Sequence, residues 1–424
     1  MLIRNPNFLF LWFSQILSGV GEVLFTVGVM VSIFQATGSA LQTVTVLIAG
    51  TLPIFVFGSF AGALVDRFSR RAILFWMNVV RALLLIVLLF FLSRPGISPW
   101  TFYLIAAGLA TAGAFYIPAR QAIVPSLVPA QVLVRANGLI IGTNQIAQAA
   151  GYGLGGWLTL QLSLTAFIRI DIVVFLFAAA LVSLLRPSGP ARPAAEHNEE
   201  ILWRSVRQGI RYLRGHPVAR PLVVMEILEH VPHGIWTSAM MLVFVTQALG
   251  GEAVDWGYQN AGFYSGMIFG AAIAAGAAGV LSRWPGWVII VNAFINSVLT
   301  LLYALSPSLG FALAVSFAFG PTFALRDIAQ DALLQTSVEH HILGRIFALR
   351  HVGWNITFML SGFLFAFLAD WLSARTIYVI GAGLYLLTSL YALSSRALRH
   401  SRIESANQES RIRESVDREI AAPL

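Results

Sequence analysis

The sequence predicts an all-α polytopic membrane protein, and three observations lead to that prediction. Hydrophobic residues make up 58% of the 424 residues and charged residues only 11%, against about 25% charged in ordinary soluble domains. Twelve stretches are apolar over the roughly 20 residues that a helix needs to cross a bilayer. One long polar connection divides these stretches into six and six, and lipid requires such spans to be helices.

The predicted spans follow one another closely in each half of the chain. The first six are Phe8–Phe34, Leu41–Leu64, Ala72–Leu92, Trp100–Ile123, Ala136–Leu162 and Leu164–Leu185. The last six are Leu222–Leu249, Trp256–Leu281, Trp287–Leu305, Leu309–Leu334, Ile346–Leu368 and Thr376–Leu393. We therefore predict four regions: a first bundle 1–186, a cytoplasmic linker 187–220 with an amphipathic helix Glu199 to Gly215, a second bundle 221–395, and a tail 396–424.

The distribution of arginine predicts the orientation. All 27 basic residues are arginine, and the alternating loops place most of them on the side of the two termini. Positive residues concentrate on the cytoplasmic side of membrane proteins, so both termini are predicted to be cytoplasmic in a plasma (inner) membrane. The first apolar run has no cleavage site and is predicted to stay as a helix rather than act as a signal peptide.

Composition and motifs exclude several function classes. The chain has no cysteine, which removes disulfides, thiol catalysis and thiolate metal sites. Its arginines are not gathered on a soluble domain, so nucleic acid is not an expected partner. We find no nucleotide-binding loop, serine-nucleophile motif or zinc-protease motif. The sequence predicts neither an enzyme nor a bound cofactor or metal.

The loop between the second and third spans carries a specific motif. It reads Gly62-Ala-Leu-Val-Asp66-Arg67-Phe-Ser-Arg70-Arg71. The motif resembles the loop signature of the major facilitator superfamily, with Ser69 in place of its second glycine. The resemblance implies two pseudo-symmetric six-helix bundles (the major facilitator fold) that rock around a site near the membrane midplane. The matching stretch of the second half has Ser282 where Asp66 stands.

Further stretches are similar to one branch, the macrolide-efflux and siderophore-exporter type of drug:proton antiporter. They are Phe10-Leu-Trp-Phe-Ser-Gln15 with Gly21-Glu22, Phe115-Tyr-Ile-Pro-Ala-Arg120-Gln-Ala, Gly209-Ile-Arg-Tyr-Leu-Arg-Gly-His-Pro217 and Gly344-Arg345-Ile-Phe-Ala348. In Gly151-Tyr-Gly-Leu-Gly-Gly156, Tyr152 replaces the proline of the antiporter motif. The resemblance implies proton-coupled export of amphipathic small molecules.

Ionisable groups inside a span are functional candidates because lipid disfavours them. Glu22 lies near the middle of the first span, on one helical face with Gln15 and Thr26. It is a candidate proton carrier or substrate contact, and the alternative is structural pairing. Asn144 and Gln148 on the fifth span are candidates for a polar cavity wall, or for packing with hydrogen bonds.

The second half has more such groups. On the seventh span, Glu226, Glu229, His230 and His233 share an arc of about 100°. They could form a proton relay, since histidine titrates near neutral pH, or less readily a metal site. Asp327 and Asp331 of the tenth span are further proton-coupling candidates. Arg326 is expected to pair with an acid, and Arg81 is a possible partner for these aspartates. The remaining cavity candidates are Trp236, Arg326 and Asn355, and Gln15 and Thr26 beside Glu22 are cavity candidates too.

The loop motif is predicted to act as a cytoplasmic gate. We expect Asp66 to face the start of the eleventh span near Gly344–Ile346. A carboxylate near a helix N-terminus stabilises the folded state by about 0.3–1 kcal/mol. Arg120 is its expected salt-bridge partner. The other gate candidates are Gly62, Arg67, Arg70, Arg71 and Arg345.

The sequence thus favours a monomeric secondary active transporter whose partners are a small-molecule substrate, protons and the lipid bilayer. Export of drugs, macrolides or siderophores is the first hypothesis. A lipid-like substrate such as a lysophospholipid is the alternative, and a membrane sensor without transport is a third.

Overall fold

The computed structural model describes residues 2–94, 96–129, 132–186 and 199–401, and within these ranges a few side chains, including those of 58–67 and 199–206, lie outside the description. The first half contains six long helices. They are α1 Pro6–Thr37, α2 Ala40–Arg67, α3 Arg70–Leu92, α4 Pro99–Leu127, α5 Leu133–Gln161 and α6 Leu164–Ser183.

The second half contains shorter and more broken helices. They are α7 Glu199–Gly215, α8 Ala219–His233, α9 Ser238–Leu249, α10 Ala253–Gly276, α11 Ala278–Arg283, α12 Pro285–Ala304, α13 Leu309–Ser337, α14 His340–Ala369, α15 Ala374–Ser394 and α16 Arg396–Arg399. The described residues also include the 3₁₀ turns Leu2–Arg4 and Gly234–Trp236. The seventh predicted span is α8 followed by α9, interrupted after Pro232, where Thr237 caps α9 by accepting from the Met240 amide at 3.3 Å.

Polar residues between the spans end one helix and begin the next. Ser98 and Ser163 accept hydrogen bonds from the first-turn amides of α4 and α6, as N-cap residues do. Ser69, which replaces a glycine of the loop motif, is the N-cap of α3 through the Ala72 amide. The substitution therefore supplies a helix start.

Among the described residues, eight helices are long and apolar enough to cross a membrane: α1, α3, α4, α6, α12, α13, α14 and α15. Shorter apolar segments lie at Ala40–Ile54 and Ser238–Leu249. No strand occurs in the described ranges. The predicted class, an all-α polytopic membrane protein, is confirmed, and the number of twelve spans stays a prediction.

One end of the molecule, here called the basic end, gathers the start of α1 and the end of α15. At this end Asn5 donates to the Leu127 carbonyl at 2.6 Å, the Arg186 amide donates to Asn7, and His216 contacts the Ser337 carbonyl. These bonds tie helix starts to helix ends within each half.

The two halves meet at the opposite end. A Cβ at Gly156 of α5 would lie 2.8 Å from the Ala253 carbonyl oxygen and 2.9 Å from the Gly257 Cα of α10, so these backbones touch. Towards the basic end a Cβ at Gly138, Gly142 or Gly276 would meet nothing within 4 Å. The halves therefore separate towards the basic end, and the space between them opens there.

Candidate functional site

A cavity of about 270 Å³ lies on the inner face of the first half. Helices α1, α2, α4 and α5 line it, with Glu22 and Thr26 from α1, Thr51 from α2 and Gln148 from α5 among its polar residues. The Glu22 side chain is 60% exposed. Glu22, Thr26 and Gln148 thus lie together on the cavity wall.

Arg81 is the cation next to Glu22. It comes from α3, is only 3% exposed, and its Nη2 lies 3.8 Å from Glu22 Oε2, longer than a direct charged hydrogen bond of about 2.7–2.9 Å. The rings of Tyr116 and Phe175 lie 5.1 and 5.5 Å from its guanidinium. The buried Arg81 guanidinium, packed against aromatic rings, therefore faces the exposed Glu22 carboxylate. The distance between them leaves the carboxylate able to bind another group. The expectation that Arg81 pairs with Asp327 or Asp331 is wrong, because Arg81 is turned into the first half.

Gln15 and Asn144 lie nearer the basic end than the cavity. Gln15 is 6% exposed, and its Oε1 has no hydrogen-bond partner in the described structure. Asn144 Oδ1 lies 3.5 Å from the position of a Cβ at Gly19. Neither residue lines the cavity, so the structure supports only Gln148 of the predicted amide wall.

The second half contains two clusters, each an arginine between a buried and an exposed carboxylate. Arg326 of α13 lies 2.8 Å from Glu229 of α8 and 2.6 Å from Asp327. Arg350 of α14 lies 2.7 Å from Glu226 and 2.5 Å from Asp331. Both glutamates are 1% exposed, whereas Asp327 and Asp331 are 41% and 48% exposed.

The clusters hold four carboxylates and two guanidiniums. A buried carboxylate needs a paired cation, since its own desolvation is costly. Each arginine contacts one buried glutamate and one exposed aspartate within 2.8 Å. Sequence reasoning did not single out Arg350 of α14. Its position inside the predicted span Ile346–Leu368 was the signal that it must meet an acid.

The two histidines of α8 face aromatic rings. His230 Nδ1 contacts the Glu226 carbonyl oxygen at 2.7 Å, and its ring stacks on Trp354 at 5.1 Å. His233 Nδ1 lies 3.2 Å from the Tyr385 hydroxyl and its ring packs on Phe323. The structure does not join these imidazoles to the carboxylates, and no group of three metal-ligating side chains lies together among the residues described. Neither the four-residue relay nor the metal site is formed in this state.

Trp236 and Asn355 are not on the cavity wall. Trp236 is 8% exposed, stacks on Phe319 at 4.1 Å, and donates to Thr300 at 3.3 Å. Asn355 donates to the carbonyl of His351 on its own helix at 2.7 Å. The expectation that Trp236 lines the cavity is wrong. Its ring packs within an aromatic core, and its indole N–H donates to Thr300 there.

The predicted gate is described only in part. The side chains of Gly62, Asp66 and Arg67 lie outside the described residues. Arg70 donates to the Ala122 carbonyl at 3.1 Å and Arg71 to that of Ser183, which ties α3 to the ends of α4 and α6. Arg120 lies half-buried on α4.

Arg345 contacts the linker helix. Its Nη1 donates to Gln208 of α7 at 2.5 Å. A Cβ at Gly209 would lie 2.5 Å from Leu349. α7 is thus fastened to the start of α14.

A contact between the two halves that the sequence did not reveal lies at the opposite end. Asp370, directly after α14, accepts from the Ala40 amide at 2.9 Å and from the Ser39 hydroxyl at 3.0 Å. Its carboxylate therefore caps α2 of the other half. The first amides of a helix have no acceptor within the helix, and a negative charge placed there stabilises them. The only signal was an acid directly after a span, a common feature of loops.

The comparisons with known proteins agree with this architecture. Residues 2–422 match a family model described as transmembrane secretion effector. The MFS-type transporter YjbB of Bacillus subtilis is 30% identical over 96% of this chain and 99% of its own length. Macrolide efflux protein A of Streptococcus pyogenes is 23% identical over 86% of this chain and 89% of its own. The crystal structure of a bacterial homologue of the human lysosomal transporter Spinster, inward-facing and unoccupied, superposes with a TM-score of 0.67 at 13% identity, covering 93% of this chain and 95% of that one.

Proposed function

This chain belongs to the transmembrane secretion effector family of MFS-type transporters, and on that premise we propose that it exports amphipathic small molecules in exchange for protons. The exchange follows alternating access of two six-helix bundles, 1–186 and 221–395, around the Glu22 cavity. In this proposal the basic end faces the cytoplasm. The space between the halves is then open to the cytoplasm, and the substrate enters from that side. The macrolide efflux relative supports an efflux role at modest identity.

The observation that carries the proposal is the exposed carboxylate of Glu22 in the cavity. It lies 3.8 Å from the buried Arg81, close enough to feel its charge and too far for a tight bond. A cationic group of a substrate, or a proton, can therefore occupy Glu22 in turn. Competition between proton and substrate for one carboxylate gives exchange without any further coupling device.

The test uses purified full-length protein in liposomes with an imposed proton gradient and a macrolide or a lipophilic dye as substrate. We expect gradient-driven transport in the native chain, its loss in Glu22→Gln, and partial retention in Glu22→Asp, which keeps the charge. Transport by Glu22→Gln at the native rate would contradict the proposal.

A lipid-like substrate is the second candidate, favoured by the open basic-end faces of α5 and α10. Gly138 and Gly142 are exposed, and a Cβ at either would meet nothing within 4 Å, which supports lateral entry of a lipid in this second proposal. A fluorescent lysophospholipid tested in the same liposomes separates the two candidates. Movement of the lipid without a proton gradient, together with no movement of the macrolide, would replace the first proposal by the second.

A further inference from the structure

Asp171 of α6 is a buried carboxyl that the proposed exchange does not use. Its side chain is 0% exposed, and neither Oδ1 nor Oδ2 has a hydrogen-bond partner in the described structure. It belongs to a helix that is long and apolar enough to cross a membrane. Buried polar groups without a partner are rare and need a physical explanation.

Asp171 lies on an apolar, buried face of α6. Phe167 and Phe175 lie about one helical turn before and after it on that face, and both are buried. A Cβ at Gly28 of α1 would lie 3.2 Å from the Phe167 ring, and one at Gly21 would lie 3.3 Å from the Phe175 ring. This face therefore packs closely on α1, and α3 packs on α6 as well.

The helices around Asp171 bring no cation to it. The ionisable residues of α1 and α3 are Glu22, Arg70, Arg71 and Arg81. Arg81 faces Glu22 at 3.8 Å, and the other two arginines donate to backbone carbonyl oxygens. On α6 itself, Arg169 is exposed. Asp171 therefore has neither an ion pair nor a hydrogen-bond donor among the described residues.

The burial of Asp171 decides which ligand it can take. A carboxylate inside a protein stays ionised when a cation or hydrogen-bond donors stabilise its charge, and Asp171 has neither. A calcium or magnesium ion would need several oxygen ligands, and no group of three metal-ligating side chains lies together among the residues described. A proton needs only the carboxyl itself and removes the charge.

We propose that Asp171 is a second proton-binding site of the first half, which holds its proton in this structure. Glu22 is exposed to the cavity, where a proton and a substrate can compete for it. Asp171 binds a proton alone, because its closed surroundings exclude a larger ligand. A substrate at Glu22 therefore does not displace the proton of Asp171, so this site goes beyond the proposed exchange and does not depend on it.

Infrared spectroscopy of the purified full-length chain in detergent at neutral pH tests this site. A protonated carboxyl has a C=O stretching band that an ionised carboxylate lacks. We expect this band in the native chain, and Asp171→Asn should lose an area equal to one carboxyl group. Labelling the aspartates of the native chain with carbon-13 should shift the band, which distinguishes Asp171 from the buried Glu226 and Glu229.

The matched control is the same substitution at Asp370. That carboxylate accepts hydrogen bonds from an amide and a hydroxyl, so Asp370→Asn should leave the protonated-carboxyl band unchanged. Asparagine has nearly the shape of a protonated aspartate, so Asp171→Asn should fold. Asp171→Leu is a second variant without the carboxyl and should lack the same band area.

Reversible binding is tested in deuterium oxide, where the band should move to lower frequency as a deuteron replaces the proton. A band that never moves would show a trapped proton and overturn the proposal. A native spectrum without the band, or one that Asp171→Asn leaves unchanged, would show an ionised Asp171 and overturn it too. Glu22→Gln should keep the band, and its loss there would mean that the two carboxyls are one site. None of these spectra requires transport, so failure of the proposed exchange would leave them unchanged.

Discussion

The two halves of the molecule place charge in their helices in different ways. In the described part of the first half, Glu22 is the carboxylate exposed to the cavity and is only loosely paired with Arg81 at 3.8 Å, while Asp171 of α6 is buried. The second half has Glu226 and Glu229 fully buried, each within 2.8 Å of an arginine. A loose, accessible pair can exchange ligands, whereas a close, buried pair mainly fixes structure. We infer that the first half carries the exchange and the second half keeps its shape around it.

The largest expected effect comes from breaking a buried pair in the second half. Arg326→Gln leaves Glu229 buried without a cation, which costs about 3–5 kcal/mol of stability. The double variant Arg326→Gln with Glu229→Gln should recover much of that loss, because no buried charge remains. Thermal unfolding in detergent measures both. A single variant as stable as the native chain would show that Glu229 does not depend on Arg326.

The corresponding change in the first half should affect transport rather than stability. Glu22→Gln removes a carboxylate that is 60% exposed, and exposed pairs contribute only about 0–1 kcal/mol. We expect a more than tenfold loss of gradient-driven transport and an unfolding temperature close to the native value. Unfolding well below the native temperature would place Glu22 with the structural pairs and remove the contrast between the halves.

The contact between the halves can be tested through its effect on their separation. Asp370→Asn removes the charge that caps α2, a contact that contributes roughly 0.3–1 kcal/mol, so the population open at the basic end should fall by up to about fivefold. The chain has no cysteine, so Gly142→Cys supplies a single reporter. Gly142→Cys should react more slowly with a water-soluble maleimide when combined with Asp370→Asn. An unchanged rate would show that the carboxylate does not bias the two states.

The smallest effect is expected at the exposed members of the two clusters. Asp327→Asn and Asp331→Asn remove carboxylates that are 41% and 48% exposed, and each should lower stability by less than about 1 kcal/mol. Their arginines keep the buried glutamates. A loss as large as that of Arg326→Gln would mean that the exposed and buried acids act as one unit.

Sequence reasoning predicted the membrane class and the position of Glu22, because these follow from composition and local pattern. It could not predict partners that lie on different helices. Arg81 was assigned to the wrong half, since spacing along one helix says nothing about which neighbour a long side chain reaches. Trp236 was assigned to the cavity because an aromatic residue near a helix break can face either a cavity or a core, and the sequence does not distinguish the two.

The cap on α2 shows the same limit. Asp370 and Ala40 are far apart in sequence, and neither belongs to the loop motif that marked Asp66. The motif predicted that a carboxylate of the first half meets a helix N-terminus of the second half. The structure contains the reverse contact at the opposite end, where Asp370 of the second half caps α2 of the first half. The Asp66 contact stays a prediction, and no motif marked the Asp370 contact.

The glycine contact between α5 and α10 has a consequence for the speed of the proposed cycle. Gly156 and Gly257 bring two backbones together with no side chains between them, so a change of angle there needs no side chain to leave one socket and enter another. In the proposed cycle, the activation barrier for rocking is then set by the other contacts between the halves, such as that of Asp370 with the start of α2. Temperature should therefore change the proposed exchange rate mainly through those contacts, while the glycine contact adds little to the barrier.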